Sequence, residues 1–255
     1  MDAQYSSPLQ VVGPINNLCA ALEQFEDSLC GYLPEDERRY YVYTVNRQRI
    51  DASPSVVTLA MMLGGAIQPP PTRTQRYNLS LILASSFLQL LESPWMPTSF
   101  KATDISFYTD PSHPKVLLLD QPHITRYFLP STSNTNNGYV TDFTDALDDL
   151  GIILLELCFG KVLQAQGYRQ DLPPGQTEIE KGAYDVLAAR KWQRDVNEEA
   201  GFDYAQAVGW CLGGNRSTPP ERWRQSMLKQ VIQPLQRCRD YLQRQDFTSE
   251  DGNGS

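Results

Sequence analysis

The longest apolar stretch of the chain, Leu150 to Gly160, constrains its fold most strongly. It reads Leu-Gly-Ile-Ile-Leu-Leu-Glu-Leu-Cys-Phe-Gly, with one charge, Glu156, inside it. The stretch is about half the length that spans a bilayer, so it must be buried in protein. Asp145, Asp148 and Asp149 precede it, where a helix dipole favours negative charge, and Gly160 suits a C-terminal cap. These features predict a helix over Asp145–Phe159 with Leu147, Leu150, Leu154 and Leu157 facing the core. A helix this apolar belongs at the centre of a helix-rich fold, packed on all sides. An unpaired buried charge is costly, so Glu156 is expected to be hydrogen-bonded or to face a crevice.

The 255 residues, 41% of them hydrophobic, supply enough apolar surface for one large domain or two small ones. Twenty-two basic against 30 acidic residues leave a net charge of −8. A nucleic-acid binder or a polybasic membrane binder is normally basic, so neither is expected. No Lys or Arg precedes Arg38, so no secretory or transit segment is expected, and an intracellular, cytoplasmic location is. His113 and His123 are the only histidines and lie in a loop-and-strand stretch, which leaves a His-based catalytic site little material. The five cysteines contain no CxxC pair, and Cys158 and Cys211 fall within apolar helical patterns. Neither a zinc site nor a disulfide framework is expected, and no metal or cofactor is assigned.

Apolar residues at Ile15, Leu18, Leu22, Phe25 and Leu29 predict an amphipathic helix that Gly31 and Pro34 end. Arg39 to Val45 reads as a strand, Asn46 to Pro54 as a turn region, and Thr58 to Leu63 as a short helix. Pro69-Pro70-Pro71 forms a stiff connector. A deeply buried helix follows over Thr74–Glu92, then short strands at Asp104–Tyr108 and Lys115–Leu119 and an exposed loop at Leu129–Tyr139. Thr177 to Glu180 has capping-box spacing and opens a helix to about Glu199. Asp203 caps a short helix ending at Gly213-Gly214. Thr218-Pro219 opens the last helix, with Trp223, Met227, Val231 and Leu235 inward and a kink at Pro234. All four tryptophans, Trp95, Trp192, Trp210 and Trp223, are expected in the core.

Gly151 to Gly160 resembles the central helix of the protein-kinase C-lobe, which typically reads D-x-W-S-x-G-x-I-L-x-E-L-x-x-G. The helix Thr74–Glu92 lies where kinases place the helix before the catalytic loop. Lys101-Ala102-Thr103-Asp104-Ile105 stands in the place of K-P-x-N-I. The chain is more closely similar to a fungal family of unknown function whose members look like degenerate kinase C-lobes. Leu18-Cys19, Leu83 to Ser86, Pro94-Trp95, Asp104-Ile105, Leu150 to Gly160, and Ala207-Val208 with Trp210 to Leu212 carry that likeness. The implied fold is α+β, mainly α: kinase-like and C-lobe-dominated, with a reduced N-terminal β element. One such domain is expected over 15–243, divided into a reduced part at 15–68 and a helical part at 74–243. A flexible stretch at 1–14 and a disordered tail at 244–255 flank it.

Phosphoryl transfer needs a base, metal ligands, a phosphate-cradling loop and a lysine. On this resemblance the base aspartate falls on Ser99, a poor proton acceptor. The metal-binding asparagine becomes Asp104, and Asp120-Gln121-Pro122 stands near the place of D-F-G. The central-helix aspartate falls on Ala146. No lysine precedes Lys101, and no G-x-G-x-x-G occurs. Lys101, Asp104 and Asp120 are therefore candidates for a degenerate nucleotide or metal site, and no residue is assigned a catalytic role. The family's members often sit beside HeLo-type cell-death and incompatibility domains. The resemblance thus implies a non-catalytic interaction module in fungal intracellular signalling, with a protein partner. The rivals are a divergent nucleotide-dependent phosphotransferase and a purely structural domain.

Overall fold

In the computed structural model, the described residues are 13–18, 20, 29–35, 38–43, 56–90, 99–110, 113–124 and 143–250. They fall into two units, Met1–Ser53 and Pro54–Ser255, where the sequence reading places one domain with its internal join near residues 68–74. The difference has a physical cause. Residues 56–58 hydrogen-bond into a sheet of the larger unit and so belong with it.

The smaller unit is built on a hairpin. Strands β1 (Leu29–Glu35) and β2 (Arg38–Tyr43) pair antiparallel, with Tyr32 opposite Tyr41. The Arg39 guanidinium lies 4.9 Å from the centre of the Tyr32 ring. The strand expected at Arg39–Val45 is thus present, but the helix expected over Ile15–Leu29 needs correction. Ile15 is extended and its N–H donates to the Tyr32 carbonyl (2.8 Å), while Leu29 opens β1. Residues 18 and 20 are helical, and 21–28 lie outside the described residues. Gly31 explains the switch: its φ is +151°, and a Cβ there would meet Ile15 Cγ1 at 2.5 Å. Only glycine lets the extended segment approach so closely.

The larger unit opens with β3 (Val56–Thr58), whose last residue caps α1 (Leu59–Leu63) by accepting the Met61 N–H. Helix α2 (Arg73–Leu90) follows. Strand β4 (Ile105–Asp110) then pairs antiparallel with β3, β5 (His113–Leu117) and β6 (His123–Ile124). Ile105 and Phe107, two apart on β4, are fully buried, as the alternation of a one-sided sheet requires.

Helix α3 (Phe143–Phe159) is the expected central element. It packs against α2, α5 (Glu178–Trp192) and α6 (Val196–Cys211). Ala146, Leu147, Leu150, Ile153, Leu154, Leu155, Leu157 and Cys158 are all buried. Gly151 leaves room for the end of α6, since a Cβ there would lie 3.1 Å from Cys211 Cβ and 2.7 Å from Cγ of the capping Leu212. Tyr204 of α6 is buried and donates to the Leu154 carbonyl (2.8 Å). Its hydroxyl also lies 2.7 Å from that of Ser80 on α2, so one polar node ties three helices. Arg76 of α2 reaches the other end of α3 and donates to the Leu157 (2.8 Å) and Cys158 (3.4 Å) carbonyls, and to Pro71 O (3.0 Å). The last carbonyls of a helix have no partner within it, so this guanidinium serves as a cap. Arg76→Ala is expected to cost about 1.5–3 kcal/mol, the range for hydrogen bonds to a charged group, as read from the urea midpoint.

The predicted capping box opens α5: Thr177 Oγ1 accepts the Glu180 N–H, and Glu180 accepts the Thr177 N–H. This helix ends at Trp192 rather than near Glu199. A 3-10 turn, Gln193–Asp195, tightens the chain so that Trp192, stacked on Phe159 at 4.7 Å, and Val196 both reach the core. Within α6, Gly201 breaks the helical path with φ +80° and ψ 176°, which separates the segment around Asp203 that the sequence sets apart. After α7 (Trp223–Met227) the chain makes a π turn over Leu228–Ile232, where Gln233 N–H donates to Leu228 O. The kink is expected at Pro234, which stands two residues after this turn. Pro234 has no N–H to continue the ladder, and the wider register absorbs the gap. The final helix, α8 (Gln233–Glu250), continues past residue 244, where the sequence reading starts a disordered tail. No helix breaker stands before Gly252. Trp192 and Trp210 are buried, Trp223 is half-buried, and Trp95 lies outside the described residues, as does the loop expected at Leu129–Tyr139.

Candidate functional site

The three sequence candidates do not converge. Lys101 is exposed at the edge of a cleft of about 320 Å³. Asp104 is exposed and turned back on its own loop: its Oδ2 accepts the Lys101 N–H (2.8 Å), and its N–H donates to the Lys101 carbonyl (2.9 Å). An aspartate closing a turn in this way holds backbone shape. Asp120 is exposed in the turn after β5, and neither it nor Asp104 lines the cleft. Among the described residues, no group of three or more His, Cys, Asp or Glu side chains is gathered to hold a metal ion. Both histidines are exposed; His113 faces Asp110 at 3.4 Å, and His123 packs edge-on against Tyr108.

The cleft is walled by Ala60 of α1, the turn Phe100–Thr103, and Ile152 and Ile153 of α3. Asp149 and Glu156 of α3, Asp185 of α5 and the loop Val162–Gln164 complete it. Asp149 joins α3 to the turn: its Oδ2 accepts the Phe100 N–H at 2.9 Å. The helix carboxylate that meets this turn is therefore Asp149, one helical turn beyond the expected Ala146, which is buried and apolar. Burial raises the Asp149 pKa against the opposing effects of Ser99, Phe100 and Lys101.

Glu156 is 3% exposed. Its Oε1 accepts the Leu163 N–H at 2.8 Å, which pins the loop after α3, and its Oε2 has no partner among the described residues. Burial pushes its pKa up to about 7, opposed by the Leu163 N–H and assisted by the charge of Asp185. Both features expected of Glu156, a hydrogen bond and a crevice, are present. Asp185 is paired with Arg169 of α4 (Gly167–Gln170) at 2.5 Å, and the two side chains are only 10% and 11% exposed. Arg169 also donates to the Pro173 (3.0 Å) and Pro174 (3.3 Å) carbonyls. Asp185 and Arg169 escape the sequence reading, although a signal exists. Asp185 shares a buried stripe with Ala188, Ala189 and Trp192, and a charge in such a stripe must have a partner.

A larger hollow of about 750 Å³ is bounded by Arg73, Tyr77, Phe202, Arg237 and Tyr241. Its cations are engaged: Arg237 grips both oxygens of Asp203 (2.5 and 3.1 Å), and Arg73 donates to Tyr77 Oη and the Glu199 carbonyl. None of the sequence candidates lines it. Among the described residues, no helix is long and apolar enough to cross a membrane.

A family model described as a domain of unknown function, DUF7580, matches residues 5–241, and the chain belongs to that family. No curated protein matches the chain.

Proposed function

Starting from that membership, we propose that the chain is a non-catalytic, kinase-like interaction module. We place it in fungal intracellular signalling, in the setting of cell death or incompatibility. The observation that carries this reading is the state of the turn 99–104. The position resembling the catalytic base is Ser99, whose hydroxyl cannot accept a proton as a carboxylate does. The position resembling a metal ligand is Asp104, and its carboxylate is spent on the Lys101 N–H. Where a kinase would act on a phosphate, Asp104 here closes its own turn, and the Phe100 N–H ties that turn to Asp149 of the central helix. The order of elements in the larger unit also supports the kinase-like reading. A short helix, a long helix, a turn, paired strands, an apolar central helix and further helices follow one another.

A ligand that binds only the folded state stabilises it by about 2.7 kcal/mol at a hundredfold excess over its Kd. We expect no change in melting temperature with millimolar ATP and magnesium, and no phosphate transfer to generic protein substrates. The Lys101→Ala, Asp104→Ala and Asp120→Ala variants should be equally unresponsive. A magnesium-dependent rise that disappears in the Asp104 or Asp120 variant would favour the phosphotransferase reading instead.

A further inference from the structure

We infer that the hollow lined by α2, α6 and α8 is a docking site for an acidic segment of a protein partner that carries an aromatic anchor residue. The inference rests on the reading of the chain as an interaction module and supplies the chemistry of the segment it takes.

The hollow holds about 750 Å³, within the range for ligand sites. Two of the residues lining it are aromatic rings left in solvent: Phe202 is 73% exposed and Tyr241 is 62% exposed. A single exposed ring is ordinary, but two rings from different helices around one hollow form an apolar patch of the kind that partners cover. Gly201 sets Phe202 in this place. Its φ of +80° breaks the path of α6 immediately before Phe202, and a Cβ on it would meet nothing within 4 Å. The bend, and not crowding, therefore calls for glycine here. Tyr77, Ala200 and Leu242 add further apolar surface. The two rings stand open to solvent instead of closing over the space, which suits a segment that crosses the hollow better than a small molecule that must be enclosed.

The charges of the hollow do not cancel. Both carboxylates that line it have a guanidinium of their own, Asp203 that of Arg237 (2.5 and 3.1 Å) and Asp240 that of Arg239 (2.6 Å). Arg73 instead donates to neutral oxygens, the Tyr77 hydroxyl (3.2 Å) and the Glu199 carbonyl. The Glu199 carboxylate acts on it only through space. With Arg244, three arginines line the hollow against two aspartates, in a chain whose net charge is −8. A guanidinium has more N–H donors than Arg73 uses, and it matches a carboxylate with two of them side by side. A partner's aspartate or glutamate completes this set, whereas a basic side chain is repelled by it. The Arg73 guanidinium also lies 5.3 Å from the centre of the Tyr77 ring, so the places for a carboxylate and for a ring adjoin.

The test is a titration of the full chain with the blocked peptide acetyl-Glu-Asp-Phe-Asp-Glu-amide, followed at the Gly201 and Phe202 amides by proton–nitrogen NMR. Two blocked controls accompany it: Gln-Asn-Phe-Asn-Gln keeps the ring and loses the charge, and Glu-Asp-Ala-Asp-Glu keeps the charge and loses the ring. The inference expects a saturable shift with the first peptide and about tenfold weaker binding, or more, for each control. Arg73→Gln should weaken the first peptide about tenfold and leave the uncharged control unchanged. Phe202→Ser, at a residue in solvent, should hold the melting temperature and bring the first peptide down to the level of the alanine control. Equal binding of the charged and uncharged peptides would overturn the inference in favour of a purely apolar groove. Equal binding of the phenylalanine and alanine peptides would overturn it in favour of bare charge attraction, and no saturable shift from any of the three would overturn it outright. The control peptides and Phe202→Ser decide the matter even if the glutamine variant fails to fold. Nucleotide binding would defeat the interaction-module reading by itself, whatever these peptides do.

Discussion

Leu154→Ala is expected to lower stability by about 2–5 kcal/mol, the range for truncating a large core side chain. Leu154 is fully buried near the middle of α3, and its carbonyl receives the Tyr204 hydroxyl. The helix on which it stands is covered by α2, α5 and α6, so the surroundings have little freedom to collapse into the void. Denaturant unfolding checks this through the midpoint at constant slope. A loss below about half a kcal/mol is the size of a surface effect, and it would remove α3 from the centre of the fold.

Arg169→Ala is expected to cost about 3–5 kcal/mol, because it leaves Asp185 as an uncompensated buried charge. The two side chains are 11% and 10% exposed, so solvent screens them little. The truncation also strips the donor from the Pro173 and Pro174 carbonyls. The double variant Arg169→Met with Asp185→Leu should recover most of the loss, since two apolar groups need no partner. If the single variant costs less than about 1 kcal/mol, the pair behaves as a surface ion pair.

These two predictions differ in how visible their basis is in the sequence. Leu154 belongs to a long apolar run whose flanking aspartates and glycine declare a buried helix, and that helix stands where expected. The capping box at Thr177 is equally local and equally legible. Arg169 and Asp185 are 16 residues apart and meet only because α4 and α5 fold together. No spacing rule announces such a pair, although the acid in a buried stripe demands one. The turn 99–104 shows the same division. Its residues are identifiable by resemblance, but the carboxylate that holds it, Asp149, is one helical turn from the expected position, because sequence register alone does not fix which face meets the loop. The N-terminal helix expected from Ile15 onward fails for a related reason. Apolar spacing suits a helix, yet hydrogen bonds to Tyr32 hold Ile15 extended, so tertiary pairing overrides periodicity. The end of α8 errs the other way: polar composition suggests disorder, whereas the absence of a breaker before Gly252 lets the helix run on.

The central claim is the proposal that the turn 99–104 serves as scaffold and handles no phosphate. Its most direct test reads the Lys101 amide, whose N–H is held by Asp104 Oδ2 at 2.8 Å. A magnesium ion or a nucleotide that engaged Asp104 would draw that carboxylate away and free the amide. Proton–nitrogen NMR of the full chain, titrated with magnesium and then with ATP to millimolar concentrations, follows this bond. The account predicts that the Lys101 amide and the neighbouring Phe100 amide stay in place at every step. A saturable, magnesium-dependent shift of the Lys101 amide, lost in Asp104→Ala, would contradict it.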